Sequence, residues 1–345
     1  MDSLTQVVLG GAVGEATLGK KEGNKAALWG MFGGTLPDLD VLTTFFVDEV
    51  TQLGIHRGLS HSFLFAVLFS PVLGYLIKKI HRSSEASVWQ WSGLMFLALV
   101  THGLLDSFTQ YGTQLLYPFT TYPVSFDSIS IIDPLYTLPL FLSLAIGMWM
   151  RRDHPRRRLL CWLGLGLSTG YLLLTLINKQ GVHQTFEARL AEQGIEYEKL
   201  YSNPNVGQNL LWKGVADAGD TLWVGTYSIF DQPPYPPMRP LPKRIELLEG
   251  GLESAPVKRL MWFSKNYFTI RKEGPRIIWE DHRFPGSDLD LYGNGRPVFA
   301  FELVEPPEGH PERFSTFRQG IPQPAAPPGL FSDYWRRMWG HSVNK

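Results

Sequence analysis

Imidazoles and carboxylates recur in three short motifs of this chain: Pro37-Asp38-Leu39-Asp40, His56-Arg57-Gly58-Leu59-Ser60-His61-Ser62 and Thr101-His102-Gly103-Leu104-Leu105-Asp106. Imidazole nitrogen together with carboxylate oxygen is a mixed donor set suited to Zn²⁺ first, with Mn²⁺ or Fe²⁺ as alternatives. Asp38, Asp40, His56, His61, His102 and Asp106 are more donors than one four-coordinate ion needs. Either two ions bind, or some of these side chains orient the ligands of one. In a hydrolytic reading, Asp40 is the expected general base and Arg57 the expected clamp on a phosphate oxygen. The one cysteine, Cys161, excludes an internal disulfide framework and a Cys-rich zinc site. No phosphate-binding glycine loop, dinucleotide fingerprint or nucleophile elbow is present.

Spacing says how these groups are to be held. His102 and Asp106 are four apart at the end of an apolar run, so on a helix both project from one face toward a common ion. His56 and His61 are five apart and do not share a face; Ser60 reads as an N-cap, with His56 in the loop and His61 in the first helical turn. Pro37 predicts an extended stretch around Asp38 and Asp40, one binding metal while the other orients a histidine. Asp133 before Pro134 reads as an N-cap with proline at the first helical position, near the site by location only.

The elements that must position them are membrane helices. Runs 62–80, 91–108, 134–150 and 159–177 are apolar, carry no charge in their middles, and approach the ~20 residues of a spanning helix. Two weaker segments precede them, 3–18 with Gly10, Gly11 and Gly14, and 26–36, read as short spans, half-spans or packed interfacial helices. Asp2 in place of a basic start argues against a signal peptide. Lys20, Lys21 and Lys25, Lys78, Lys79 and Arg82, and Arg151, Arg152, Arg156, Arg157 and Arg158 mark three connections as cytoplasmic. All the donor motifs then fall on the opposite side, as does everything after about residue 178.

The 345 residues suggest two domains, and 32 basic against 32 acidic side chains remove any global charge argument for a nucleic-acid partner. The expected architecture is a helical integral membrane domain over 1–180, with four long spans and two shorter N-terminal segments, then a small β-rich extracytoplasmic domain over 181–345. In the second half, 183–195 reads as a short amphipathic helix with Phe186 and Leu190 on one side. Residues 221–229 alternate as a strand, and 267–271 with 276–280 flank Lys272-Glu273-Gly274-Pro275 as a hairpin. Trp212, Trp223, Trp262 and Trp279 are the expected core of a small sheet. Asp281, His282, His310 and His341 repeat no ligand spacing and are expected at the surface. Tyr334-Trp335-Arg336-Arg337-Met338-Trp339 has the mixture of aromatics and arginine found in interfacial anchors.

The order of the motifs, together with the opening Met1-Asp2-Ser3-Leu4-Thr5-Gln6-Val7-Val8-Leu9-Gly10, resembles the YdjM-like family of predicted inner-membrane, metal-dependent hydrolases over residues 1 to 180. The resemblance implies a bacterial cytoplasmic (inner) membrane protein with one or two divalent ions at its site. Many relatives carry a histidine where this chain has Gln6, which implies a lost ligand there or an amide oxygen in its place. A remoter likeness to helical zinc phospholipases C and nucleases implies phosphoester hydrolysis. A lipid or lipid-linked phosphate in the bilayer is the expected substrate class, acted on at the outer face. The alternative is a membrane metal-binding, regulatory or scaffold protein without catalysis; a closed coordination sphere favours that, an open position the enzyme.

Overall fold

The computed structural model describes residues 1–293, 295–307, 312–322 and 324–343, and His310 lies outside them. The chain divides into two compact units, Met1–Phe45 with Ile55–Leu176, and Phe46–Gly54 with Ile177–Lys345. Its first part runs α1 (Ser3–Glu22), α2 (Asn24–Thr35), a 3₁₀ helix (Leu36–Phe45), α3 (Glu49–Ile55), a 3₁₀ turn (Leu59–His61), α4 (Phe63–Ile80), α5 (Val88–Asp106), α6 (Pro134–Trp149) and α7 (Pro155–Glu192).

Among the described residues, α4, α5 and α7 are long and apolar enough to cross a membrane, and α6 is a shorter apolar helix of 16 residues. Their starts are set by local chemistry. Ser62 accepts from Phe65 N–H, Ser87 and Gln90 form a reciprocal capping box, and Asp133 accepts from the N–H groups of Leu135 and Tyr136 with Pro134 at the first position. Each such cap contributes about 1 kcal/mol.

The two weak segments form a helical hairpin turned at Gly23, φ 59°. Small residues bring the two backbones together: a methyl added at Gly10 would strike the Gly30 carbonyl, and one at Gly14 the Ala26 carbonyl. This is the close helix packing that small residues permit in a membrane setting. Val13, Leu140, Leu144 and Cys161 build a core on one side of α1, and Trp91, Leu94, Met95 and Ile77 a second between α4 and α5. Midway along α1, the buried Glu15 carboxylate is gripped by Arg157 through two bonds of 2.6 and 2.7 Å.

Three local expectations are corrected. Asp38 and Asp40 lie on a 3₁₀ helix, not an extended strand; Pro37 sits in its first turn, where the missing N–H costs nothing. The α4 cap is Ser62, not Ser60, so His61 precedes that helix. Residues 183–192 continue α7 as one 38-residue helix rather than forming a separate one, since no proline intervenes and Gly181 has open space around it.

The second unit holds two antiparallel four-stranded sheets in sequential order. One comprises β1 (Lys199–Pro204), β2 (Leu211–Asp217), β3 (Thr221–Ser228) and β4 (Arg239–Pro242). The other comprises β5 (Phe268–Glu273), β6 (Arg276–Asp281), β7 (Ala300–Val304) and β8 (Thr316–Gln319). Phe186 and Leu190 pack on Trp212 and Ala216 of the first sheet and on Met238 just before β4, and Gly214 leaves room for the Phe186 ring. Glu273 pairs with Arg276 across a two-residue turn whose first position, Gly274, takes φ 59°. Trp212 and Trp279 are fully buried, while Trp223 and Trp262 are half-buried. α8 (Ala255–Ser264) and α9 (Leu330–Met338) complete the unit. In α9, Arg337 is buried against Asp231 and Tyr334 bonds the Val206 carbonyl, leaving Phe331 and Trp335 exposed.

Asp281 and His282 are not at the surface, although His341 is. Asp281 forms a buried ion pair with Arg283 at 2.6 Å, and His282 Nε2 lies 2.8 Å from Thr269 Oγ1. Burial, with nearby Lys213 adding to it, pushes His282 down to about 3 from 6.5. The unfolded chain therefore takes up a proton below pH 6.5 that the folded unit refuses, so stability is full above that pH and falls as pH drops toward 3. Between pH 7 and pH 5 the loss is about 2 kcal/mol. Thermal unfolding of the full chain in detergent at the two pH values checks this. His282→Gln should flatten the difference, and an unchanged slope in that variant would remove His282 as its source.

Candidate metal centre

The donor motifs converge at one end of α5. His102 and Asp106 are fully buried on one helical face, with Nε2 and Oδ2 3.8 Å apart. The following glycine has a role of its own: a Cβ at Gly103 would come within 2.7 Å of the His61 carbonyl, so its absence lets the His61 backbone lie against α5. The 3₁₀ helix separates the two aspartates. With about three residues per turn, positions two apart point in different directions. Asp38 Oδ1 lies 3.5 Å from both His61 Nε2 and His102 Nε2. Asp40 turns away, taking His56 Nδ1 at 2.8 Å, the Arg57 backbone N–H at 3.0 Å and the Ser60 hydroxyl at 3.1 Å.

Asp38, His61, His102 and Asp106 thus offer four donor atoms that all lie within 4.8 Å of one another. Asp40 and His56, expected among the donors, are outside this group and paired with each other. Asp133 is likewise outside it, its carboxylate occupied by the α6 cap and the Tyr171 hydroxyl. Arg57 is buried with Nε 3.1 Å from Asp106 Oδ2, while Nη1 donates to Thr109 Oγ1 at 2.9 Å. Its φ of 58° is a strained left-handed conformation for a residue with a side chain.

Hydrogen bonding fixes what the imidazoles present. His102 Nδ1 lies 2.7 Å from the Gly34 carbonyl, which can only accept, so Nδ1 carries a proton and Nε2 is the nitrogen turned to the cluster. Ser60 donates to Asp40 and therefore accepts from His61 Nδ1 at 3.0 Å, so His61 also turns Nε2 to the cluster. The two Nε2 atoms face each other at 3.1 Å, with Asp106 Oδ2 3.5 Å from His61 Nε2. A tetrahedral ion with bonds of about 2.0–2.1 Å holds its ligands roughly 3.3 Å apart. Five of the six donor separations, 3.1, 3.5, 3.5, 3.5 and 3.8 Å, are close to that edge, and the sixth, between Asp38 and Asp106, is within 4.8 Å.

The field at the cluster favours positive charge. Burial pushes Asp38 up, yet its bonds to His102 and His61 hold it well below the ordinary carboxylate range. Burial lowers His61, but Asp106 and Asp38 more than offset this and raise its proton affinity.

Three contributors had little or no sequence signal. The Met1 amino group contacts Asp106 Oδ1. The Gly34 carbonyl that sets the His102 tautomer is invisible in residue type. Gln6 donates through Nε2 to Asp106 Oδ1 at 2.8 Å, and its Oε1 is buried without a hydrogen-bond partner.

Apolar helices long enough to span a bilayer and a buried two-His, two-Asp group together define a membrane protein with a possible metal-binding site. Residues 1–182 match the family described as YdjM inner membrane protein, and the chain belongs to that family. It is also similar to the "Uncharacterized protein YfhP" of Bacillus subtilis (strain 168), 25% identical over 236 residues, which is 65% of this chain and 68% of the relative. No solved structure matches the chain.

Proposed function

We propose that this protein is a membrane-bound, divalent-metal-dependent hydrolase acting on a phosphoester or lipid-linked substrate. The observation that carries the reading is the facing pair of Nε2 atoms between two carboxylates. A divalent ion would be shared by all four donors at once, whereas a proton bridges one pair. Asp38, His61, His102 and Asp106 would hold the ion, Zn²⁺ first and Mn²⁺ or Fe²⁺ otherwise. When bound, such an ion supplies Lewis-acid polarisation of the scissile group and acidifies a water molecule.

The chain's own residues do the rest. Asp40 orients His61 through Ser60 and positions Arg57 through its backbone N–H. Arg57 neutralises Asp106. Asp38, the donor with a side chain 24% exposed, is the side from which a substrate oxygen enters. Water adds across the P–O ester bond, giving a phosphate and an alcohol. By the distribution of basic loops the reaction is at the outer face of a bacterial inner membrane, residues 1–180 forming the membrane domain and 181–345 an extracytoplasmic one.

The test is metal analysis of detergent-purified protein, followed by phosphoester and phospholipid hydrolysis with and without chelator. Stoichiometric metal and chelator-sensitive turnover support the enzyme. Four protein donors also complete a tetrahedral sphere, which favours a structural metal as the second reading; stoichiometric metal with no turnover on any phosphoester would select it. Asp40→Asn should weaken the metal by about 10–100-fold, as loss of a ligand's orienting partner does. Chelator competition measures this, and unchanged affinity would remove Asp40 from that role.

A further inference from the structure

Two stretches beside the donors, 36–46 and 107–132, have no exposed charge. Between residues 36 and 46 the only charged side chains are Asp38, turned into the cluster, and Asp40, paired with His56 behind it. Between 107 and 132 the only one is Asp127, 8% exposed. Their exposed positions are apolar instead. Leu39, Leu42 and Phe45 on the 3₁₀ helix and Leu116, Phe119 and Tyr122 in the long connection all stand open, Phe45 at 79% and Phe119 at 84%. A loop bathed in water would not leave such side chains open without charges among them.

The second segment is tied to the start of a spanning helix, since Phe63 N–H donates to the Leu115 carbonyl. Along α4 the exposed surface continues as Val67, Leu68, Phe69 and Val72, which meets lipid if the helix spans. The 107–132 connection is therefore joined to the first turn of a helix whose exposed face is apolar. Aromatic side chains at the end of a spanning helix are what the headgroup boundary of a bilayer selects.

We propose that these two segments form an apolar collar seated in the lipid leaflet at the cluster's end of the helices. The donor cluster then opens into the headgroup layer, and a substrate reaches it from the membrane, headgroup first, rather than from solution. This consequence for substrate deepens the hydrolase reading and rests on it; the seating of the collar does not.

The experiment uses the full chain in phosphatidylcholine–phosphatidylglycerol nanodiscs, with Cys161 left in place because it is buried and the unmodified chain serves as a labelling blank. Leu42→Cys and Phe119→Cys are spin-labelled, with Phe69→Cys as the bilayer reference and Lys272→Cys as the aqueous one. Accessibility to oxygen and to a water-soluble nickel chelate is then measured. The collar labels should favour oxygen, as at 69, and differ from 272 by several-fold in the oxygen-to-nickel ratio. Nickel accessibility equal to 272 would place the collar in water and overturn the proposal. Motionally restricted spectra closed to both reagents would assign the surface to a protein partner or a second copy, and overturn it equally. Metal content measured on the same samples separates the two readings: metal with a wet collar sinks only the collar, and a lipid-seated collar without metal sinks only the hydrolase.

Discussion

His102→Ala and Asp106→Ala should each abolish stoichiometric metal, with affinity reduced by more than the roughly 10–100-fold that removal of an orienting partner causes. Each removes one of the four donors, in a buried site where His56 and Asp40 are committed to each other. The two variants should differ in their other effects. His102→Ala also leaves the Gly34 carbonyl without its donor, about 1–3 kcal/mol for a buried acceptor. Asp106→Ala leaves Arg57 buried without its counter-charge, which costs about 3–5 kcal/mol. Asp106→Asn keeps the shape and loses the charge. Mass spectrometry of bound metal, with thermal unfolding on the same samples, distinguishes a folded protein that has lost its ion from one that has lost its fold. Full metal occupancy in folded His102→Ala protein would exclude the cluster as the site.

Glu15→Ala should destabilise the helical unit by about 3–5 kcal/mol, the penalty for leaving one member of a buried ion pair alone. Arg157 is 3% exposed, and its guanidinium is held by Glu15 through Nε and Nη2, by Asn24 Oδ1 at 2.7 Å and by the Met150 carbonyl at 3.0 Å. The two partners join α1 to the start of α7, so the loss should be felt across the helical unit rather than locally. Glu15→Leu combined with Arg157→Met should recover most of the stability, because replacing both charges with apolar groups of similar volume removes the desolvation penalty along with the attraction. Thermal unfolding in detergent reads both. A Glu15→Ala variant as stable as the double variant would show that Arg157 finds solvent or another partner.

Much of this protein is written in residue type and spacing. Four apolar runs and a Pro/aromatic-rich second half separate helices from strands because a helix repeats at 3.6 residues and a strand at two. The same geometry put His102 and Asp106 on one face, since four residues is close to one helical turn. The hairpin around Gly274 was legible for a similar local reason, glycine and proline marking the turn, although Lys272 and Glu273, read as part of that turn, pair in the strand and leave a two-residue turn.

The division of labour among the acidic residues was not legible. Asp38 and Asp40 are equivalent by type, and only the 3₁₀ path of residues 36–45 aims one at the histidines and the other at the loop behind them. The tautomer of His102 depends on a main-chain carbonyl brought there by the glycine seam between α1 and α2. The Glu15–Arg157 pair spans 142 positions, and His282 is buried by strands whose pairing no local pattern specifies. Local sequence determined which elements form and which chemistry they carry. Tertiary structure decided which donors meet, because short-range preferences act within a turn or a strand, whereas a donor site is made by contacts between segments far apart in the chain.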